Sequence, residues 1–162
     1  MIRLIRLETL SIVMVDSLGF STASVNDGEI EQYSFDGEGT TVLAFFPGAF
    51  TPPCTEEMCR FRDQIGDFVE LDTEVVGISV DTPFALEEFA DKNSLNFRLA
   101  SDTSREIIEQ YGVKTVFPDT GHEIAERAVF LIKDGEIVYR EVMDDPHNLP
   151  DLDRLKQEIN KI

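Results

Sequence analysis

The chain has 162 residues, 42% hydrophobic and 28% charged, with 32 Asp and Glu against 14 Lys and Arg for a formal net charge of −18. That length suits one domain, which buries roughly 70% of its unfolded surface and needs no staples. The charge argues against nucleic acid and anionic membranes, which call for a positive face, and no apolar run reaches the 18 or more residues of a membrane span.

In chain order, Met1 to Leu7 holds two arginines, and Leu10-Ser11-Ile12-Val13-Met14-Val15 is apolar. This faintly resembles a signal peptide, but Glu8 interrupts it and the apolar run is short. The expectation is an N-terminal extension over 1–15, then a single domain over 16–162, in the cytoplasm. Gly19 to Val25 and Glu31 to Phe35, joined by Asn26-Asp27-Gly28, predict a hairpin. Thr40 to Phe46 is a continuous apolar run rich in β-formers and reads as a buried central strand. Pro52 to Glu70 carries Met58, Phe61, Ile65 and Phe68 at helical spacing. Glu74 to Val80 reads as another buried strand. Pro83 to Asn93 follows a Thr82 cap. Thr103-Ser104-Arg105-Glu106 forms a capping box opening a helix through Tyr111, which Gly112 stops. Ala128 to Ile132 meets Glu136 to Arg140 through Lys133-Asp134-Gly135, a turn that needs positive φ. Leu152, Leu155, Ile159 and Ile162 mark one helical face behind Pro150. Strands alternating with helices, then a terminal hairpin and helix, give an α/β fold: a mixed central sheet flanked by helices.

The acidic residues are scattered, which describes a solvated acidic shell suited to a salt-rich cytoplasm that screens self-repulsion. Thermal stability is therefore expected to rise in molar KCl, and full stability in dilute buffer with no gain from salt would refute this.

Both cysteines fall in one segment, Phe45-Phe46-Pro47-Gly48-Ala49-Phe50-Thr51-Pro52-Pro53-Cys54-Thr55-Glu56-Glu57-Met58-Cys59. A strand ends at Pro47 and a helix starts near Thr51, a good N-cap, with Pro52 at the first helical position. Cys54 then meets free backbone N–H groups and the positive end of the helix dipole, which favour the nucleophilic thiolate. A helix start following a strand is where α/β sheets bind ligands. Glu56 and Glu57 oppose this, so the site needs a cation. Arg60 and Arg62 are close in sequence, and Arg127 can reach from a neighbouring strand. In a regular helix Cys54 and Cys59 are turned by about 140°, with Cα atoms about 8.6 Å apart, beyond the roughly 7 Å that a disulfide spans. A bond between them requires local unwinding, so the pair is a candidate redox switch.

Pro47-x-x-x-Thr51-x-x-Cys54 resembles the active-site pattern of the peroxiredoxins. Phe45-Phe46-Pro47, Cys54-Thr55, Phe61-Arg62-Asp63, Gly77-Ile78-Ser79-Val80-Asp81 and Arg127-Ala128-Val129-Phe130-Leu131-Ile132 look like that family too, across roughly residues 18–160. The Cys-x4-Cys spacing is similar to the bacterioferritin-comigratory-protein (PrxQ) branch, and Phe45 to Thr51 also to the AhpE-like branch. The resemblance implies a thioredoxin-like fold and a thiol peroxidase acting on hydrogen peroxide and organic hydroperoxides. It implies Cys54 as the peroxidatic cysteine, oxidised to sulfenic acid, and Thr51 as a hydrogen-bond donor to thiolate and peroxide. Arg127 would stabilise shifting charge, Pro47 would shape the pocket, and Glu57 would orient an arginine. Cys59 would be the resolving cysteine, with thioredoxin or a similar dithiol reducing the disulfide. No metal or organic cofactor is implied, and a homodimer fits the family. The chain departs from the pattern before Phe20, where the Ala-Pro-Asp-Phe stretch of many members is missing. The paired Pro52 and Pro53 stiffen the turn that must unwind.

Other readings stay open. Cys59 as a core residue would make the protein a one-cysteine peroxidase. A redox sensor or adaptor would use the same switch, and a general dithiol oxidoreductase is disfavoured by the Cys-x4-Cys spacing and by Thr51. His122 and His147 read as solvated loop residues, and two cysteines are too few for a closed structural zinc site.

Overall fold

The computed structural model describes residues 3–6, 12–15 and 18–162. The expectation of an extension over 1–15 falls largely on residues outside those described in full. There β1 (Arg3–Arg6) pairs antiparallel with β2 (Ile12–Val15). The elements that follow are β3 (Phe20–Asn26), β4 (Glu29–Phe35), β5 (Thr40–Phe45), α1 (Pro52–Glu70), β6 (Thr73–Ser79), α2 (Pro83–Lys92), β7 (Arg98–Ser101) and α3 (Glu106–Gln110). The chain closes with β8 (Lys114–Phe117), β9 (His122–Ala125), β10 (Ala128–Lys133), β11 (Glu136–Val142) and α4 (Leu152–Asn160).

Seven strands form one mixed sheet in the order β11-β10-β5-β6-β7-β3-β4. β5, β6 and β7 run parallel, and the remaining pairs in the sheet are antiparallel. The continuous apolar run of β5 is explained by burial on both faces. Leu43 and Phe45 join Ile107, Ile108 and Tyr111 of the α3 region. Val42, Ala44 and Phe46 join Met58, Phe61 and Phe68 of α1, Leu86 and Phe89 of α2, and Leu155 and Ile159 of α4. Three helices therefore cover one face and α3 the other. No helix among the described residues is long and apolar enough to cross a membrane.

Both expected hairpins form. Asp134 (φ 46°) and Gly135 (φ 82°) turn β10 into β11, and Asp27 with Gly28 turns β3 into β4. Thr82 caps α2 by accepting from the Ala85 N–H at 3.2 Å. The capping box at Thr103 does not form. Arg105 occupies the N-cap in a left-handed conformation, and buried Asp102 accepts from the N–H groups of Ile107 (3.1 Å) and Ile108 (2.8 Å). A carboxylate is the stronger acceptor, and its burial is compensated by those two donors. His122 lies on strand β9 rather than in a loop, and its Nε2 is 3.1 Å from Arg105 Nη2.

The seat of α1 is Gly77 of β6. A Cβ there would stand 2.7 Å from Leu99 Cδ2 and 3.2 Å from Met58 Sδ. Gly77→Ala is expected to destabilise the fold by about 1–3 kcal/mol through overpacking; an unchanged urea midpoint would show that α1 tolerates a shift.

Candidate active site

The site lies where β5 runs into α1. The Phe46 N–H donates to the Ile78 carbonyl at 3.0 Å, extending the strand by one residue. Half-buried Pro47 then opens a short loop to Thr51. That loop is anchored from β6: Asp81 Oδ2 accepts from the Ala49 N–H (2.8 Å) and from Ser79 Oγ (2.7 Å). Phe50 takes a left-handed φ of 68°, with its ring 5.3 Å from that of Phe89 in an edge-on contact. Asp81 stood within a recognised motif, but nothing in the sequence alone assigned it this anchoring task.

Thr51 is the N-cap residue, yet its side chain does not cap. Its hydroxyl donates to the Gly48 carbonyl at 2.9 Å, and no side-chain bond reaches the helix N–H groups. The first turn also supplies fewer free donors than expected at a helix start, because Pro52 and Pro53 carry no N–H. The Cys54 N–H stands alone in those three positions. Positive charge at the sulfur comes instead from across the sheet.

Arg127, the residue before β10, aims its guanidinium at the first turn of α1. Nη2 donates to Cys54 Sγ at 3.3 Å, Nη1 donates to Glu57 Oε1, and Nε donates to the Pro146 carbonyl at 2.8 Å. Cys54, Glu57 and Arg127 are only 1%, 1% and 2% exposed. The three acceptors fix the planar fork, a task for which Arg is suited and Lys is not. Cys54 and Glu57 are one helical turn apart, so α1 presents both to the same cation. Arg60 pairs with exposed Glu56 at 2.7 Å. Arg62 bonds Asp63 (2.9 Å) and the Asn93 carbonyl (2.7 Å). Of the three candidate arginines, Arg127 is the one that bonds the sulfur.

Burial pushes the Glu57 carboxyl up to about 7, although Arg127 pulls the other way. Burial alone would lower the Arg127 guanidinium, but the charges of Glu57 and Cys54 hold it above its ordinary value. Arg127 therefore stays charged, and the Glu57 carboxyl is poised to change protonation near neutrality.

Cys59 sits within the same unbroken helix and is half-buried, with Sγ 3.9 Å from Asn93 Oδ1 at the end of α2. Both thiols are free. The structure thus brings together Cys54, Arg127 and Glu57, with Pro47 and Thr51 in the adjoining loop, and turns Cys59 toward α2.

Comparisons with known proteins identify the family. Residues 17–140 match the AhpC/TSA family. Peroxiredoxin Bcp of Escherichia coli is 39% identical over 127 residues, covering 75% of this chain and 80% of that protein. A Mycobacterium tuberculosis protein named as a peroxiredoxin is 39% identical over 100 residues, covering 60% of this chain and 64% of that protein, so that match spans just under two thirds of the relative's length. The crystal structure of peroxidoxin BcpB from Mycobacterium tuberculosis superposes with a TM-score of 0.72 at 27% identity, covering 90% of this chain and 97% of that one. The thioredoxin-like α/β fold together with the family match places the chain in the peroxiredoxin class. This chain belongs to the AhpC/TSA family of peroxiredoxins, consistent with its PrxQ/Bcp branch.

Proposed function

We propose that this peroxiredoxin is a thiol-dependent peroxidase with Cys54 as its nucleophile. The observation that carries the reading is the Arg127 guanidinium held 3.3 Å from Cys54 Sγ, with both groups out of water. A cation fixed at that distance in a dry site stabilises sulfur negative charge far more than it would in solvent. The thiolate attacks the distal peroxide oxygen, an S–O bond forms as the O–O bond breaks, and hydroxide or alkoxide departs. Arg127 offers donors to the charge as it moves from sulfur to oxygen. Thr51 supplies a hydroxyl once it turns from the Gly48 carbonyl, and Pro47 walls the pocket. Glu57 keeps the Arg127 fork in register.

The sulfenic acid then condenses with Cys59, losing water and forming a disulfide that a thioredoxin-type dithiol reduces. Their helical separation of about 8.6 Å means that the first turns of α1 must open first. The contact of Cys59 with Asn93 on α2 supports a second reading, a one-cysteine peroxidase whose sulfenic acid is resolved by an external thiol. The groups named above belong to one chain, and a homodimer is compatible with the family. A cytoplasmic setting, whose dithiols would recycle the cysteine pair, fits this chemistry, and we take residues 16–162 as the functional domain.

Mass spectrometry after one equivalent of peroxide tests both readings. Loss of two hydrogens, mapped to a bridge between Cys54 and Cys59 within one chain, is the expected result, and the Cys59→Ser variant should instead retain one added oxygen on Cys54. Stable oxygen on Cys54 of the parent protein would favour the one-cysteine route. A Cys54→Ser variant that consumes peroxide at the parent rate would end the peroxidase reading altogether.

A further inference from the structure

Glu57 is a buried titratable group whose second carboxyl oxygen has no task in the scheme above. Oε1 accepts from Arg127, but Oε2 is buried and has no hydrogen-bond partner among the described residues. The charged and titratable groups facing it are the Arg127 guanidinium, reaching in ahead of β10, and beyond that guanidinium the Cys54 sulfur of its own helix. One cation thus serves two acids, and all three groups lie at 2% exposure or less. With both acids ionised the cluster would bury one uncompensated negative charge, which is far more costly than burying a neutral hydroxyl.

We propose that Glu57 and Cys54 hold a single negative charge between them, with the Glu57 carboxyl protonated on Oε2 while Cys54 is a thiolate, and that Glu57 gives up this proton when the sulfur is oxidised. The inference rests on the peroxidase reading of Cys54. The raised carboxyl described above agrees with it, since burial disfavours an ionised Glu57. The chemistry balances. The thiolate takes one oxygen and its hydrogen from the peroxide and becomes a neutral sulfenic acid, and the departing alkoxide or hydroxide takes up one proton. As negative charge leaves the sulfur, Arg127 faces Glu57 alone, and the carboxyl ionises and releases one proton. The buried cluster carries the same net charge before and after, so oxidation needs no net proton from solvent. Glu57 acts through Arg127 and is a positioning residue with a proton-storing task.

Proton uptake during a single turnover distinguishes this from simple orientation of Arg127. The Cys59→Ser protein, which stops at the sulfenic acid, is mixed with hydrogen peroxide in weak buffer at pH 6.5 with an indicator dye. Uptake of about zero protons per sulfenic acid is expected, against about one when Glu57→Gln is added. Equal uptake by the two proteins, whether zero or one, overturns the proposal. If the double variant does not fold, the ¹³C resonance of the Glu57 carboxyl in the Cys59→Ser protein decides. It should move from the protonated to the ionised position on adding peroxide, and a fixed resonance overturns the proposal. Failure of Cys54 to form any sulfenic acid would sink the peroxidase reading and this inference with it, whereas sulfenic acid formed with equal uptake sinks the inference alone.

Discussion

Arg127→Ala is expected to slow peroxide reduction by about 10²–10³-fold, the usual loss when one fixed donor is removed from developing charge in a water-excluded site. The same change leaves Glu57 without its cation. Breaking a buried pair from one side costs about 3–5 kcal/mol, limited here because the carboxyl can retain its proton instead. Arg127→Lys should recover little activity, since one ammonium cannot serve Cys54 Sγ, Glu57 Oε1 and the Pro146 carbonyl together as the fork does. Stopped-flow rate constants and urea denaturation measure the two effects separately. A rate within a few-fold of the parent's would remove Arg127 from the mechanism.

Glu57→Gln is expected to stabilise the fold, and increasingly so as pH rises. The folded carboxyl keeps its proton up to about 7, whereas its ordinary value is 4.5. Between those values the native state binds more proton than the unfolded chain, so this group's contribution to stability falls as pH rises. It is fully present below 4.5 and lost on passing 7, a loss on the order of 3 kcal/mol for a fully buried group. Glutamine preserves the shape and an acceptor for Arg127 but cannot ionise. The urea midpoints of variant and parent should therefore nearly coincide at pH 4.5 and separate by pH 8. A constant gap across that range would mean that Glu57 does not titrate there.

Much of this architecture is legible from residue patterns. β5 announces itself by apolar residues on both faces, α1 by Pro52 and the spacing of Met58, Phe61 and Phe68, and the β10–β11 turn by Asp134-Gly135. β7 is hidden because Arg98-Leu99-Ala100-Ser101 has no β-branched residue; pairing with β6 on one side and β3 on the other makes it a strand. β8 and β9 form a small ladder outside the main sheet, too short for periodicity to reveal. Thr103 fits the cap pattern, but Asp102 prevails because its buried carboxylate meets two N–H groups at once. At the site, the type and order of Pro47, Thr51 and Cys54 are readable locally. The choice of Arg127 over Arg60 and Arg62 is not, since it depends on β10 lying beside β5. The inward aim of Glu57, as opposed to its exposed neighbour Glu56, follows from helical phase and could have been read from its three-residue offset from Cys54.

The left-handed backbone of Phe50 bears on the disulfide step proposed above. A side chain with a Cβ adopts that conformation at a cost of about 1–2 kcal/mol, and here the Phe89 ring and the Asp81 anchor keep it there. The loop leading into α1 is thus held under strain. If the leading end of α1 uncoils, as the disulfide proposed above requires, Phe50 would be free to relax into an ordinary extended form, and the strain released would offset part of the cost of opening.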